Sequence, residues 1–577
     1  MGARPFFAAL VALAGCGGGA EPDSPPAESP PPADAWSDDG PYRFTDATAA
    51  AGLAGFQQVC GSPEKPFLPE TMGGGCALFD HDQDGDLDAY LTNGGRFGQG
   101  LDSNPSDALF VNDGRGRFLD GSSAAGIDER RWTCGVRVCD VDGDGWSDLY
   151  LTNYGPNTFY VADGKGGYAE RTRESGLAVD SWSTGACFLD FDRDGDLDLH
   201  VANYVLFDEA RQLAEHPVTV YKGVEVMKGP QGLPGAPDRF FVNEGELRFR
   251  EASRELGMSD EAYGFQDVAF DFDLDGWIDL FVANDSVANN LWRNLEGKRF
   301  EDVALRQGLA LSLDGRPQAC MGTALGDYDG DLRVDLYVTN FADDYSTLYH
   351  GEERGFFLDM TQALGLAAPA MDKLGWGTGF VDLDLDGDLE LFAVHGHVYP
   401  QVDLFRLGTE YRQPVQLFEW AGTRFREPPG RGGRALAEKS AGRGAATGDV
   451  DGDGDLDLLV ENIDGPPRLL RNVGRAGRRL EVVLIGAGAN RAAVGARVIA
   501  RAGGRAQLRL AGIAEGFLSS SDPTLVFGLG TLEGVDELEV TWPLGKVERF
   551  SGLRAGTRAT IEEGPAGTAS RVTITQR

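Results

Sequence analysis

Positive charge is scarce in this chain of 577 residues: 52 Lys and Arg stand against 91 Asp and Glu, for a formal net charge of −39. That balance repels phosphate backbones and argues against nucleic acid as a partner. Cysteine is also scarce, at 7 residues. Beyond the first 16 residues no apolar run is long enough to cross a bilayer as a helix. A nucleophile elbow, a phosphate-cradling glycine loop and a CxxC pair are all missing, so the sequence shows no catalytic device.

In their place the chain has abundant glycine (81 residues) and aspartates in a fixed order. The stretch Asp449-Val450-Asp451-Gly452-Asp453-Gly454-Asp455-Leu456-Asp457 sets carboxylates at positions 1, 3, 5 and 9 and glycine at position 6. A hard divalent cation takes six to eight oxygens at roughly 2.3–2.6 Å, and short Asp side chains supply them only where the backbone curls around the ion. Glycine permits that curl. Position 7, Asp455, offers its backbone carbonyl, and Asp457 closes the shell from the next strand. No Glu stands at position 12, as it would in an EF-hand, and the reading is calcium.

The order recurs six more times. The first loop is Asp80, Asp82, Asp84, Gly85, Asp86 and Asp88; the second is Asp140, Asp142, Asp144, Gly145, Trp146 and Asp148. The third is Asp190, Asp192, Asp194, Gly195, Asp196 and Asp198, and the fourth Asp271, Asp273, Asp275, Gly276, Trp277 and Asp279. The fifth is Asp327, Asp329, Asp331, Arg333 and Asp335, with Leu332 where glycine belongs. The sixth is Asp382, Asp384, Asp386, Gly387, Asp388 and Glu390. Seven copies exceed chance, and up to seven calcium ions are expected. Loop five should be the weakest site or empty, because a bulky side chain at a left-handed bend costs about 1–2 kcal/mol.

Loop starts lie 60, 50, 81, 56, 55 and 67 residues apart, an internal repeat with insertions. Each unit reads as four short strands. A small-residue strand enters the loop (Gly185–Leu189, Gly322–Gly326). An alternating strand ending in Asn leaves it (Leu149–Asn153, Leu280–Asn284, Leu336–Asn340). An aromatic third strand follows (Arg239–Asn243, Asn290–Asn294), then a Phe-headed fourth (Phe118–Asp120, Phe249–Glu251, Phe300–Val303). Four antiparallel strands repeated radially make a propeller blade. The fourth strand is missing after the seventh loop but appears at Phe44–Thr48, before the first. The N-terminal strand should therefore complete the last blade and close the ring. The expected fold is all-β, a seven-bladed propeller over 42–474.

The flanks read differently. Residues 1–16 hold Arg4, an apolar run from Phe6 to Leu13, and Leu13-Ala14-Gly15-Cys16. They read as a signal peptide. Its end resembles a lipobox, which implies lipidation of Cys16 and a lipoprotein on the periplasmic or extracellular side. Residues 17–41 are Pro-rich and read as a disordered tether. Residues 475–565 read as a small β domain and 566–577 as a flexible tail. From 475 onward 14 Lys and Arg face 10 Asp and Glu, so this part carries +4 and the remainder −43. Cys60, Cys76, Cys134, Cys139, Cys187 and Cys320 form an even set that suggests disulfides in an exported protein, with buried free thiols as the alternative.

The loops and the Asp-Leu-x-Val-x-Asn strands resemble FG-GAP/VCBS repeats. Asn490–Val498, Ser521-Asp522-Pro523, Phe527–Gly530 and Val540–Gly545 resemble an ASPIC/UnbV domain. The pairing is similar to the cartilage acidic protein family and its bacterial relatives. His395-Gly396-His397 departs from the Asn of the sister units. With Asp403 these histidines could hold a transition metal, though hydrogen bonding in a turn is the simpler role. The functional expectation is a calcium-binding, surface-anchored adhesion module with an unknown protein or glycan ligand, touching the membrane only through its N-terminal lipid. The alternatives are an extracytoplasmic enzyme acting on glycans, peptides or a natural product, and a purely structural lipoprotein.

Overall fold

The computed structural model describes residues 36–100, 103–258, 261–474, 477–565 and 567–576. The signal segment, Cys16 and the tether as far as residue 35 lie outside the described residues.

The protein is all-β. Seven units of four antiparallel strands follow one another. The first runs Cys76–Phe79, Asp88–Leu91, Ala108–Asn112 and Phe118–Asp120. The second and third units merge into one eight-stranded sheet, because strands Asp148–Pro156 and Asp180–Leu189 are long enough to pair at Tyr154–Pro156 with Asp180–Trp182. The last unit takes its outer strand from the N-terminus: Phe44–Asp46 pairs with Arg468–Asn472 in the register Phe44 to Asn472. Both ends of the ring thus share one sheet.

The alternating strand pattern has a direct packing consequence. A strand in a sheet presents side chains to both faces, so each unit contributes to two hydrophobic clusters, one with each neighbour. Between the first two units Phe79, Tyr90 and Leu109 meet Val136, Leu149 and Tyr160. The series continues around the ring until Ala446, Val450 and Leu459 of the seventh unit pack against Cys76, Leu78 and Phe110 of the first.

Side-chain amides stitch the turns. Asn203 and Asn462, which end second strands, and Asn153, inside the longer second strand Asp148–Pro156, donate to the carbonyls of Pro237, Pro466 and Pro156. His395 occupies the same position in the sixth unit, and its Nδ1 lies 3.1 Å from the Pro414 carbonyl. The departure from Asn therefore conserves the bond to the turn. Asparagines at the ends of third strands reach the neighbouring unit instead: Asn112 donates to Val450 O, Asn294 to Phe191 O and Asn472 to Leu383 O.

After the ring come two four-stranded sheets. One holds Leu525–Gly530, Arg478–Ile485, Thr557–Glu562 and Arg571–Gln576, and the other Arg505–Leu510, Arg497–Ala502, Glu537–Thr541 and Val547–Phe550. Their shared core includes Leu480, Val498, Phe527, Leu538 and Trp542. Three readings change here. Residues 571–576, expected as flexible tail, form a strand paired along its whole length with 557–562. Residues 36–41, expected as disordered tether, dock on the ring: Ser37 N–H donates to Gly430 O, and Arg431 lies 5.5 Å over the Trp36 ring. The six described cysteines, for which disulfides were expected, are all unpaired and buried. Cys76, Cys139 and Cys187 sit on inner strands, where a small thiol fits the crowded axis and packs as an apolar group.

Candidate metal loops and axial cavity

All seven acidic loops lie at the same end of the ring, where each inner strand turns back into the second strand. Each loop folds on its own side chains. The position-5 carboxylate accepts the N–H of position 7 in every copy: Asp84 from Asp86, Asp144 from Trp146, Asp194 from Asp196, Asp275 from Trp277, Asp331 from Arg333, Asp386 from Asp388 and Asp453 from Asp455. Asp82, Asp142, Asp192, Asp329 and Asp451 at position 3 likewise accept from position 5. One oxygen of Asp80, Asp140, Asp271, Asp327, Asp382 and Asp449 at position 1 accepts from position 6.

Those bonds leave oxygens over. Oδ1 of Asp80, Asp190, Asp382 and Asp449 at position 1, and of Asp273 and Asp384 at position 3, is buried with no hydrogen-bond partner among the described residues. A buried carboxylate oxygen without a donor is costly unless a cation faces it. In loop one Asp80, Asp82 and Asp84 bring an oxygen each within 4.8 Å of one another, as do Asp140, Asp142 and Asp148 in loop two. Burial, reinforced by neighbouring carboxylates, pushes Asp80, Asp140, Asp271 and Asp449 up to about 6, and Asp190, Asp327 and Asp382 up to about 7. This donor set of hard oxygens fits a hard divalent cation.

Position 9 has a second role that the spacing alone did not reveal. Its two oxygens tie the loop to the sheet. Asp88 accepts from His81 N and Asn112 N, Asp148 from Val141 N and Ala162 N, and Asp198 from Phe191 N and Asn243 N. Asp279, Asp335 and Asp457 repeat the arrangement. Glu390 reaches Leu383 N, and the Tyr42 hydroxyl bonds to its carboxyl.

The backbone also revises the argument about loop five. Leu332 keeps the left-handed bend at φ 67°, and Gly330 at position 4 has φ 76°. Position 4 is left-handed in every loop, and the residue there is not glycine in four of them: Gln83 (63°), Arg193 (62°), Leu274 (58°) and Leu385 (57°). Loop five thus exchanges one strained position for the other, and strain does not single it out. Arginines add a second difference. Arg293 pairs with Asp273 at 2.7 Å and Asp275 at 2.9 Å, Arg333 with Asp331, and Arg471 with Asp451 and Asp453. A guanidinium on a ligand carboxylate competes with a metal. Loops four and five combine a strained leucine with such an arginine, so we expect both to bind weakly. Leu332→Gly and Leu274→Gly should tighten their own loops by similar factors, up to about tenfold if the ~1–2 kcal/mol of left-handed cost is relieved on binding. Calorimetric calcium titration checks this, and tightening at Leu332 alone would refute the shared-strain account.

The C-terminal domain covers the loop face. Its arginines approach the loops: Arg479 reaches Asp449 (3.3 Å), Arg505 pairs with Asp388, Arg497 donates to Leu332 O, and Arg509 lies 3.9 Å from Asp382. The +4 of this domain is thus set against the most acidic part of the ring. From it residues 511–522 run into the axis. Gly516 and Thr323 exchange backbone bonds, Leu518 O accepts from Val136 N, and Ser520 bonds to Leu78 and Cys76. Phe517, fully buried, packs 4.8 Å from Trp376 and 5.9 Å from Phe265.

Below this tip, at the end of the ring opposite the loops, a cavity of ≈ 1020 Å³ opens among Phe265, Met321, Phe341, Trp376 and Tyr399, with Tyr221 and Met227 of the hairpin Val218–Met227 over it. His397, Tyr221, Phe341 and Tyr399 have ring centroids 5.4–6.1 Å apart and form one aromatic wall. The three residues weighed as a transition-metal site have separate partners: His395 meets Pro414 O, His397 Nδ1 accepts from Tyr399 N, and Asp403 accepts from Tyr411 N. Burial lowers both histidines to about 3, so they are neutral.

Residues 140–201 and 271–338 match the FG-GAP-like repeat, and residues 486–568 match ASPIC and UnbV. Cartilage acidic protein 1 of Xenopus tropicalis is 30% identical over 286 residues, 47% of this chain and 40% of the relative. That of Mus musculus is 29% identical over 340 residues, 55% of this chain and 48% of the relative. The chain thus spans less than half the length of these relatives. Among solved structures, a Trypanosoma rangeli sialidase in complex with the inhibitor DANA aligns with TM-score 0.33 and 12% identity, over 70% of this chain and 55% of that one.

Proposed function

We propose, for a chain that carries FG-GAP-like repeats and an ASPIC/UnbV domain and is homologous to cartilage acidic protein 1 over about half its length, that it is an extracytoplasmic binding module whose ring is held by calcium. The observation that carries the calcium reading is the set of buried, unpartnered carboxylate oxygens at positions 1 and 3. The carboxylates of positions 1, 3 and 5, the position-7 carbonyls and the position-9 acids would hold the ions. A bound ion supplies the charge that lets several carboxylates share one turn. The protein's own residues fix the loop by hydrogen bonds and tie it through position 9 to the third strand.

With one end covered by the C-terminal domain, the open end with its cavity is the face left for a ligand, a protein segment or a glycan. A calcium-loaded protein lacking residues 1–35, but keeping the docked 36–41, should retain a ligand in pull-down and glycan-array experiments. Loss of that ligand on chelation is expected, and a ligand that binds the chelated, unfolded chain equally well would contradict the module reading. We further propose that Cys16 is acylated and anchors the protein. Cys16→Ala should move it from the membrane fraction to the soluble fraction, and retention in the membrane would mean a different anchor.

A further inference from the structure

The cavity at the open end has a chemical bias. Four carboxylates line it, Asp285, Asp314, Asp343 and Asp344, against the single guanidinium of Arg316. Three of the four are engaged or compensated. Arg316 lies 3.6 Å from Asp314, Lys222 lies 2.7 Å from Asp343, and Gln318 donates to Asp344 at 2.9 Å. Asp285 is different. Its carboxylate is buried and accepts only from neutral hydroxyls, Tyr204 at 2.6 Å and Ser286 at 2.7 Å, and no lysine or arginine among the described residues pairs with it. Arg443, whose guanidinium sits 4.2 Å over the Trp376 ring, spends its donors on the carbonyls of Thr71, Gly396 and Gly442. It leaves Asp285 without a counter-ion.

Around this carboxylate the walls are aromatic and sulfur-bearing: Phe265, Phe341 and Tyr399 with Met227, Met321 and Met371. Aromatic faces attract cations, and more strongly when the site is dry. Thioethers are polarizable and pack against apolar substituents. A buried anion that lacks a partner favours a ligand bringing the missing positive charge. A volume of ≈ 1020 Å³ is at the upper end of small-ligand cavities.

We propose that this cavity binds an organic cation with apolar substituents, an alkylated or quaternary ammonium group, with Asp285 as its counter-ion and the Phe341–Tyr399 wall against its substituents. This rests on the binding-module reading and names the ligand class for its open face. A neutral sugar could donate hydroxyls to Asp285 but would leave its charge uncompensated, and an anion would set a like charge beside it.

The test is titration of the calcium-loaded full chain, followed by calorimetry and by tryptophan fluorescence. The probes are choline, benzyltrimethylammonium, and 3,3-dimethylbutan-1-ol, the uncharged isostere of choline. Both cations should bind, choline at least tenfold more tightly than its isostere. Asp285→Asn should cost the cations about tenfold while leaving the isostere unchanged, and Leu404→Ala, at an exposed site outside the cavity, should leave all three unchanged. If Asp285→Asn lowers the melting temperature, Tyr399→Ala provides the second variant, with the same loss expected. Equal binding of cation and isostere, or no binding of either cation at millimolar concentration, overturns the proposal. Equal binding would still leave a ligand cavity, and hence the module reading, in place.

Discussion

Chelation of calcium with EGTA should lower the melting temperature by on the order of 15 °C. A ligand that binds only the folded state adds about 2.7 kcal/mol per site at a hundredfold excess over its Kd. Seven such sites give about 19 kcal/mol if all are filled to that level. An ordered region of about 540 residues unfolding with about 2.1 cal/mol/K per residue converts this to roughly 15–17 °C. The empty loops add a penalty of their own, since each gathers four or five acids and five of the seven hold buried oxygens with no donor among the described residues. Magnesium should restore little of the loss, because it demands a tighter octahedral shell and sheds water reluctantly. A melting curve unmoved by EGTA would remove calcium from the account and leave the loops as acidic turns.

The second large effect is expected at Phe517, far from the loops in sequence. Its ring is fully buried at the tip of the axial segment, against Trp376, Phe265 and the cluster that includes Met321 and Tyr204. Phe517→Ala removes a large apolar group from a fully buried site, a change that costs about 3–5 kcal/mol. By the same size scaling that is roughly 3–4 °C in melting temperature. Leu404→Ala, at a residue 77% exposed, should change it by less than about 1 °C. If the two variants melt alike, the axial segment is a surface feature and not part of the core.

Much of this architecture could be read from residues that act locally. The Asp and Gly order of the loops reports a backbone bend and its donors, both within nine residues. The Phe44 strand could be placed because the last unit lacked its outer strand, and the register of Phe44 with Asn472 follows that reasoning. What escaped depends on partners distant in sequence. Nothing local in 511–522 shows that it enters the axis and bonds to inner strands of several units. The cavity is assembled from the ends of strands in different units, so no single stretch announces it. The role of position 9 as a tie to the third strand required a partner 14 to 24 residues away in the first two units. The thiols of Cys60 and Cys134 illustrate a different limit. An even count suggests pairing, but the ring buries them as apolar groups, and only packing decides between the two. His395 was the informative exception: its break with the Asn pattern looked like chemistry, yet it makes the turn bond that Asn makes elsewhere.

Calcium coordination by the acidic loops is the claim on which the rest depends, and anomalous diffraction from crystals grown in millimolar calcium tests it most directly. The account predicts difference peaks among the carboxylates of positions 1, 3 and 5 at full height in loops one and three, where no arginine pairs with those carboxylates among the described residues, and weaker peaks in loops four and five. Loops with no anomalous density at that concentration, their carboxylates paired only with arginine or water, would contradict it.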